Sequence, residues 1–389
     1  MLPIIVAATL TLFATCAASS LYTIDPSWPV SLSSLNVTTV TAVAVFNHEV
    51  LVAQRGGAVP YFLVFDDNKG DLIRSWGPAG IKSPHGMFWS PNEPASLFIV
   101  DIVNATVKEF NASSDGKVLL GVSGTPGVHG AGTNPMQFSS PADAALTSHG
   151  VLLVSDGDGG SNNRVSAISR VGKTYGTMLW TVGSAGAGPS DFSSPHSIAY
   201  LEGVDMAIVA DRGNNRIKFL AASTGDMLGE WDSVECFNAQ PAATGTAWGV
   251  RVDSARGRLF VADGAHGTIY VLSVSGGTGW SVNSVPSCDG ALLDTLSAPS
   301  IDSKPHEMAV DEMTGDLYVR RRDKGGHCNS ATHVNVINSF ALHTSNRIVF
   351  RPSPPPLPLL LSSSQVACVG TVGKVNTTTI VRYLPNLGL

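Results

Sequence analysis

The chain has 389 residues, of which 43% are hydrophobic and 14% are charged, so it can bury a large core. Its 40 glycines and 23 prolines indicate many turns and favour an all-β chain over a helical one. The net charge of -6 and the lack of a Lys/Arg cluster argue against nucleic acid as a partner.

The N-terminal segment is apolar and ends in small residues. The stretch MLPIIVAATLTLFATCAASS is typical of a secretory signal peptide over residues 1–18, cut near Ala17 or Ala18, although no basic residue precedes its apolar part. A membrane anchor is the alternative, and the short apolar run disfavours it. We therefore expect a protein that is secreted or held in the lumen of the secretory pathway.

The cysteines and the glycosylation sequons fit such an export route. Removal of the signal peptide takes Cys16 away and leaves four cysteines, which allow two disulfides in three pairings: Cys236, Cys288, Cys328 and Cys368. Four N-x-Ser/Thr sequons suit a glycosylated surface, although such tripeptides also arise by chance: Asn36, Asn104, Asn111 and Asn376.

A repeat of four strands runs along the chain. The stretch PHSIAYLEGVDMAIVADRGNNRIKFLAASTGDMLGEW divides into the strands HSIAYL, MAIVAD, RIKFL and MLGEW, separated by turn-forming residues. A weaker unit, VTAVAVFNHEVLVAQRGGAVPYFLVF, opens the series, and related stretches start near Ser83, Ser140, Ala247 and Lys304. Six units of this kind predict an all-β, six-bladed β-propeller of four-stranded antiparallel blades, and the pattern D-x-x-N-x-R-I at residues 211–217 resembles NHL repeats.

An aspartate closes the second strand of four units at intervals of 55, 55 and 52 residues: Asp101, Asp156, Asp211 and Asp263. Because an aspartate in this place can accept backbone N–H bonds, we interpret these residues as structural.

The last unit is irregular. We predict the propeller over residues 35–350 and a Pro-rich insertion with a C-terminal tail over residues 351–389. NRIVF has the pattern of a displaced third strand, RPSPPPLPLLLSSS is expected to be extended or disordered, and TTTIVRYL can supply a closing strand.

Three histidines follow a proline at the start of the first strand of a unit: His85, His196 and His306. They are 111 and 110 residues apart, about two repeats each, and the units between carry Ala142 and Trp248 in the same place. In a six-bladed ring, alternate blades can bring three imidazoles together on the axis, which is the ligand set of a catalytic zinc site. The alternative is that the repeat favours Pro-His and that these histidines are hydrogen-bonded core residues.

These motifs resemble those of the peptidyl-α-hydroxyglycine α-amidating lyase family. SPHGM, FSSPADAAL, FSSPHSIA and KPHEMAV follow the family's order and spacing within residues 40–320. The resemblance implies a secreted enzyme that cleaves a peptide ending in α-hydroxyglycine into a peptide amide and glyoxylate. It also implies that His85, His196 and His306 hold a zinc ion.

The resemblance points to two catalytic positions. Arg55, in VLVAQRGG, matches an arginine that recognises the substrate carboxylate, which suits a guanidinium fork; the alternative is a solvated turn residue. Asp158 stands where the family has a tyrosine that takes part in proton transfer. It can serve as a base, or it can be a turn residue while another blade's side chain replaces the tyrosine. Tyr175 and Tyr200 are the nearest tyrosines in sequence, but no pattern places either at the metal.

The family also has a structural calcium ion on the axis. One of its ligands is an aspartate directly after the last zinc histidine, where this chain has Glu307. Met87 matches a position that donates a backbone carbonyl. The resemblance therefore implies a calcium site at Met87 and Glu307, with oxygen ligands that suit this ion.

The six units and the tail account for the chain without a copper monooxygenase domain, so we expect a separate protein to supply the hydroxylated peptide to a monomeric lyase. Two other functions stay open. A non-catalytic NHL-type propeller that binds a peptide or a glycan is favoured by the missing tyrosine. A calcium-dependent hydrolase of the six-bladed lactonase type is disfavoured, because such enzymes use Asp, Glu and Asn ligands in place of histidine.

Overall fold

The computed structural model describes residues 20–25, 28, 37, 39–55, 61–77, 79–90, 93–274, 280–282, 284–297, 303–323 and 380–385. The expected signal peptide, the strand expected at NRIVF and the Pro-rich run lie outside these residues. Cys328 and Cys368 lie outside them as well. Within the described part of the chain, no helix is long and apolar enough to span a bilayer.

The strands form six four-stranded sheets, which we call blades 1 to 6. Strand β1 (Tyr22–Ile24) comes first in the chain and belongs to blade 6. Blade 1 contains β2 (Thr39–Phe46), β3 (Glu49–Arg55), β4 (Phe62–Asp66) and β5 (Leu72–Trp76). Blade 2 contains β6 (Pro84–Ser90), β7 (Glu93–Asp101), β8 (Thr106–Asn111) and β9 (Leu119–Ser123). Blade 3 contains β10 (Pro141–Leu146), β11 (Val151–Asp156), β12 (Arg164–Val171) and β13 (Thr174–Val182).

The remaining blades continue in the same way. Blade 4 contains β14 (Pro195–Leu201), β15 (Met206–Asp211), β16 (Arg216–Ala221) and β17 (Met227–Asp232). Blade 5 contains β18 (Ala247–Asp253), β19 (Arg258–Asp263), β20 (Thr268–Ser273) and β21 (Leu292–Ser297). Blade 6 combines β22 (Ser303–Val310), β23 (Leu317–Asp323), β24 (Ile380–Pro385) and β1. The helices are short: α1 (Ser233–Phe237) and 3₁₀ turns at Ala112–Ser114, Glu202–Val204 and Arg212–Asn214.

The first strands of the blades form a closed ring. Contacts run from β2 through β6, β10, β14, β18 and β22 and then back to β2. Blades 1 to 5 are each continuous in sequence, whereas blade 6 pairs β23 with β24 and β24 with β1, so its strands come from both ends of the chain. The prediction of an all-β propeller with four-stranded antiparallel blades is confirmed. Blade 6 extends past both predicted limits of residues 35–350.

Blade 4 shows why these residues form these strands. Its four strands match the predicted segments to within two residues at each end. The turns between them place Asp205 at a φ of 49° and Asn215 at a φ of 57°, which is left-handed backbone that Asp and Asn tolerate better than most residues. Both faces of β15 are buried, because its apolar side chains pack against the neighbouring blades on either side.

The aspartates at the ends of the second strands are structural, as predicted. Each is fully buried. Asp101, Asp156 and Asp211 accept backbone N–H bonds from the segment that precedes the first strand of their own blade. Asp263 caps its own turn by accepting the N–H groups of residues 265 and 266. The repeat therefore fixes the loops around the first strands, where the candidate site lies.

One of the predicted glycosylation sites is buried, and one disulfide of the predicted kind is present. Asn104 is only 6% exposed and its amide donates to Asp101 and to the carbonyl of Gly80, so its sequon is not a glycan acceptor in the folded protein. Cys236 and Cys288 form a disulfide between blades 4 and 5 that joins positions 52 residues apart.

Each first strand carries an irregularity at the same place. The register between the first and second strands shifts once near the start of each first strand. The residues at these bulges are Thr41, His85, Ala142, His196, Trp248 and His306. Because a bulge re-aims a side chain out of the regular alternation, this shared defect gives the three histidines a common orientation.

Candidate metal centre

The three histidines of blades 2, 4 and 6 meet on the axis. Each can offer one ring nitrogen such that the three atoms lie within 4.8 Å of one another. The ring centroids of His85, His196 and His306 are 4.5 to 5.6 Å apart, and all three side chains are buried. The structure thus brings together the three residues that the sequence predicted as zinc ligands.

Two of these imidazoles are oriented by the backbone of the next blade. The Nδ1 atom of His85 lies 2.8 Å from the carbonyl oxygen of Ala142, and that of His196 lies 2.7 Å from the carbonyl oxygen of Trp248. A carbonyl only accepts hydrogen bonds, so Nδ1 carries the proton in both rings. In the neutral rings the lone pair is then on Nε2, and a partner of this kind typically fixes the tautomer of metal-binding histidines.

His306 is held differently. Its Nδ1 has no hydrogen-bond partner within the described residues and lies 3.6 Å from Oε1 of Glu307. Its ring packs edge-on against Trp248 at a centroid distance of 5.3 Å. Packing, rather than a hydrogen bond, therefore sets this ring's orientation.

Electrostatics favour the neutral ring at His196 and at His306. Burial lowers the pKa of His196 well below its ordinary value, and the charge of Arg212 lowers it further. Burial likewise lowers the pKa of His306, with Arg320 adding to the effect. Neutral imidazole is the form that binds metals. The Nε2 atom of His196 is also buried with no hydrogen-bond partner in the described part of the chain, as expected for a ligand atom.

Asp158 lies beside the histidines. Its Oδ2 is 3.0 Å from Nε2 of His85 and 3.9 Å from Nε2 of His196. Hydrogen bonds of its backbone N–H and carbonyl to Ser140 fix the loop that carries it. Burial alone would raise the pKa of Asp158, but His196, His85 and Arg212 outweigh it and hold this pKa well below its usual range. Two acceptor atoms this close repel each other unless a cation lies beside both, so the contact fits a cation at Nε2 of His85.

Arg212 is the site residue that the sequence analysis missed. Its guanidinium lies 3.0 Å from Oδ1 of Asp158 and 5.5 Å from the ring centroid of Trp248. It lines a cavity of about 330 Å³ together with Trp248 and a set of small residues: Ser193, Ser194, Gly213, Ala243 and Thr244. The sequence does contain a signal for Arg212. It directly follows Asp211, and Asp158 comes two residues after the equivalent Asp156, so the repeat places both residues just after the second strand of a blade.

Of the other predicted residues, Arg55 and Glu307 lie beside the histidines, whereas the side chains of Met87 and of the two tyrosines lie away from them. Arg55 ends β3 and donates from Nε to the carbonyl of Pro84 at 2.7 Å, which places its guanidinium against the backbone next to His85. Met87 lies in β6 with its side chain in the core between blades 1 and 2. Glu307 is 1% exposed and pairs with Arg251 at 3.2 Å. Tyr175 and Tyr200 donate to Glu109 and Asp205 and do not belong to the site.

Comparison with known proteins places the chain in a family. It is 36% identical over 311 residues to NHL repeat-containing protein 3 of Mus musculus, which covers 77% of this chain and 81% of that protein. The chain belongs to the family of NHL repeat-containing protein 3. No protein-family model matches it.

The relatives whose names state an enzymatic activity are less similar to this chain. The chain is 31% identical over 193 residues to peptidylglycine alpha-amidating monooxygenase of Rattus norvegicus, which covers 48% of this chain and 19% of that protein. It is 27% identical over 158 residues to a probable peptidyl-alpha-hydroxyglycine alpha-amidating lyase of Caenorhabditis elegans, which covers 40% of this chain and 42% of that protein. The expected NHL-type propeller is confirmed, and each of these two matches extends over less than half of the chain.

Proposed function

We propose that this member of the NHL repeat-containing protein 3 family is a secreted, zinc-dependent lyase that converts peptides ending in α-hydroxyglycine into a peptide amide and glyoxylate. The observation that carries the proposal is the convergence of His85, His196 and His306 on one point of the propeller axis. The partial likeness to lyases supports the choice of reaction.

Zinc fits this donor set. Three histidines with pre-set ring orientations, one of them with an orphaned buried Nε2, are the protein half of a catalytic zinc site. When bound there, zinc supplies a positive charge that acidifies a substrate hydroxyl. The chain's own residues hold those rings in place and exclude water around them.

Two arginines are available for the substrate carboxylate. Arg212 lines the cavity beside the histidines, and Arg55 packs against the residue next to His85. A guanidinium fork binds a carboxylate with two parallel hydrogen bonds. We infer that Arg212 exchanges its contact with Asp158 for the glyoxylate-forming carboxylate, and Arg55, beside His85, is the second candidate for this role.

The reaction combines one C–N bond cleavage with proton transfers within this site. Once Arg212 turns to the substrate carboxylate and no longer lowers the pKa of Asp158, that carboxylate accepts the hydroxyl proton. The carbon–oxygen double bond forms, and the C–N bond breaks with its electron pair moving to nitrogen. The amide nitrogen then takes up the proton that Asp158 accepted, which returns Asp158 to its carboxylate form. Atoms and electrons balance without an oxidant, so the oxygenation that makes the hydroxyglycine is a separate reaction, and we propose that a separate copper monooxygenase performs it.

A second candidate function rests on Asp158 itself. A carboxylate 3.0 Å from Nε2 of His85 can act as a fourth ligand, and a four-coordinate zinc is typical of structural sites. The chain would then be a non-catalytic propeller that binds peptides or glycans in the cavity lined by Arg212 and Trp248.

One experiment separates the two candidates. The mature chain is purified, its metal content is measured, and glyoxylate release is followed with an α-hydroxyglycine peptide. The lyase predicts about one zinc per chain and turnover that falls about 10²-fold or more in Asp158→Asn. Stoichiometric zinc without glyoxylate release, in the wild type and in the variant alike, would establish the non-catalytic propeller.

Secretion is part of this proposal. The disulfide between Cys236 and Cys288 suits an oxidising compartment, as does the apolar N-terminal segment. Expression of the full chain in cultured cells should place it in the medium, and its retention in the cytosol would refute the proposal. We expect the protein recovered from the medium to be a monomer.

A further inference from the structure

A second cluster of charges lies next to the three histidines. Asp143, Ser197 and Glu307 each directly follow a bulge residue of a first strand, in blades 3, 4 and 6. They converge on the guanidinium of Arg251, which comes from β18 of blade 5. One side chain therefore links four of the six blades around the axis.

The contacts of Arg251 are close and buried. Its Nη1 donates to Oδ2 of Asp143 at 2.7 Å and to Oγ of Ser197 at 3.0 Å. Its Nη2 donates to Oε2 of Glu307 at 3.2 Å. Asp143, Ser197 and Glu307 are at most 1% exposed, and the side chain of Arg251 is 13% exposed. Two buried carboxylates in one layer would repel each other without a cation between them.

Calcium does not fit this place. It requires six to eight oxygen ligands at about 2.3 to 2.6 Å. Here Glu307, the carboxylate expected to bind calcium, directs one oxygen to a guanidinium that also holds Asp143. A guanidinium and a calcium ion cannot both contact the same buried oxygens without strong repulsion.

We propose that Arg251 is a built-in cation that stands in for the axial calcium implied by the resemblance to the lyases, so this propeller needs no calcium. Arg251 is also a positioning residue for the candidate metal centre. Its partners Ser197 and Glu307 directly follow His196 and His306, and holding them fixes the bulges that aim those rings.

The first test uses the wild-type chain. Thermal unfolding is recorded with added calcium, after EGTA treatment followed by restoration of zinc, and with neither, and calcium binding is measured by isothermal titration calorimetry. The expected result is one melting temperature in all three conditions and no stoichiometric calcium binding. A melting temperature that rises with calcium and falls with EGTA would overturn the proposal, and this test does not depend on any variant folding.

The second test removes the cation. Arg251→Ala leaves two buried carboxylates uncompensated and should lower the melting temperature by about 10 °C. Added calcium should then raise it, and should fail to do so in the double variant Asp143→Asn, Arg251→Ala. The matched control is Arg256→Ala, which removes an ion pair with Asp253 in the same blade and should show no calcium response. A calcium-independent melting temperature in Arg251→Ala would contradict the proposal.

The positioning role has its own readout. Zinc affinity should fall at least tenfold in Arg251→Ala and should recover in part in Arg251→Lys, which keeps the charge but loses the fork. Unchanged zinc affinity in Arg251→Ala would refute a positioning role.

Discussion

The imidazole of His196 donates from Nδ1 to the carbonyl oxygen of Trp248, 2.7 Å away, and that carbonyl belongs to the neighbouring blade. His85 makes the same contact with Ala142. The orientation of each ring therefore depends on how two blades pack, and not only on the strand that carries it. Through this contact the closed ring of blades pre-organises a metal site.

Substitution of His196 tests that site directly. Replacing His196 with alanine should weaken zinc binding by more than about 100-fold, because a ligand contributes at least as much affinity as the groups that orient it. Competition with a chromophoric chelator measures the affinity. His149→Ala is the matched control, since His149 is exposed in the turn between β10 and β11, whereas the three candidate ligands are buried. Equal affinities in the two variants would rule out the proposed ligand set.

Arg212 should recognise a terminal carboxylate. Arg212→Met should weaken binding of a peptide with a free C-terminal carboxylate by about 30-fold or more, because a charge-assisted pair is lost in a partly enclosed cavity. The same peptide with a C-terminal amide serves as the control and should bind both proteins equally. A similar loss for both peptides would show that Arg212 acts only through the fold.

Asp211 should be essential for stability. It is fully buried and accepts bonds from the backbone of Ser193 and from the side chains of Asn214 and Arg216. Asp211→Ala should lower the free energy of unfolding by about 3 to 5 kcal/mol, because the backbone N–H of Ser193 and the buried Nε of Arg216 lose their acceptor. Urea titration measures this, with the exposed Asp226→Ala as the control. Comparable midpoints for the two variants would contradict this account.

The disulfide between Cys236 and Cys288 should stabilise the closed ring between blades 4 and 5. It joins positions 52 residues apart, for which chain entropy predicts a contribution of about 4 kcal/mol. The double variant Cys236→Ser, Cys288→Ser should lose about that much, as measured by chemical denaturation. Reduction of the wild-type protein should lower the free energy of unfolding by the same amount. A loss below about 1 kcal/mol in the double variant would contradict this prediction.

Glu109 should make stability depend on pH. Burial alone would raise its pKa, but hydrogen bonds from Arg170, Ser96, Lys173 and Tyr175 lower it from 4.5 to about 2. Because the folded pKa is below the unfolded one, the stabilisation is complete above about pH 4.5 and is lost as the pH falls towards 2. The shift corresponds to about 3 kcal/mol. Stability measured against pH should lose this part of its slope in Glu109→Gln, and an unchanged slope would contradict the assignment.

Much of the fold could be predicted from the sequence because the repeat is local. Alternating apolar residues and turn residues define each strand, and in blade 4 the predicted segments agree with β14 to β17. The phase of the repeat also predicted that the residues at positions 85, 196 and 306 would share one place on the axis. The sequon at Asn104 gave a wrong prediction because burial depends on the tertiary structure, and a tripeptide carries no information on it.

The sequence by itself determined the repeat, the strands and the three histidines, because each depends on neighbours within one blade. Only the tertiary structure decided the partners of those residues. Arg251 reaches Asp143 across 108 residues, and Arg212 meets Asp158 from another blade. No local pattern encodes such pairs, since they form only when the ring closes and low-dielectric burial makes each unpaired charge costly.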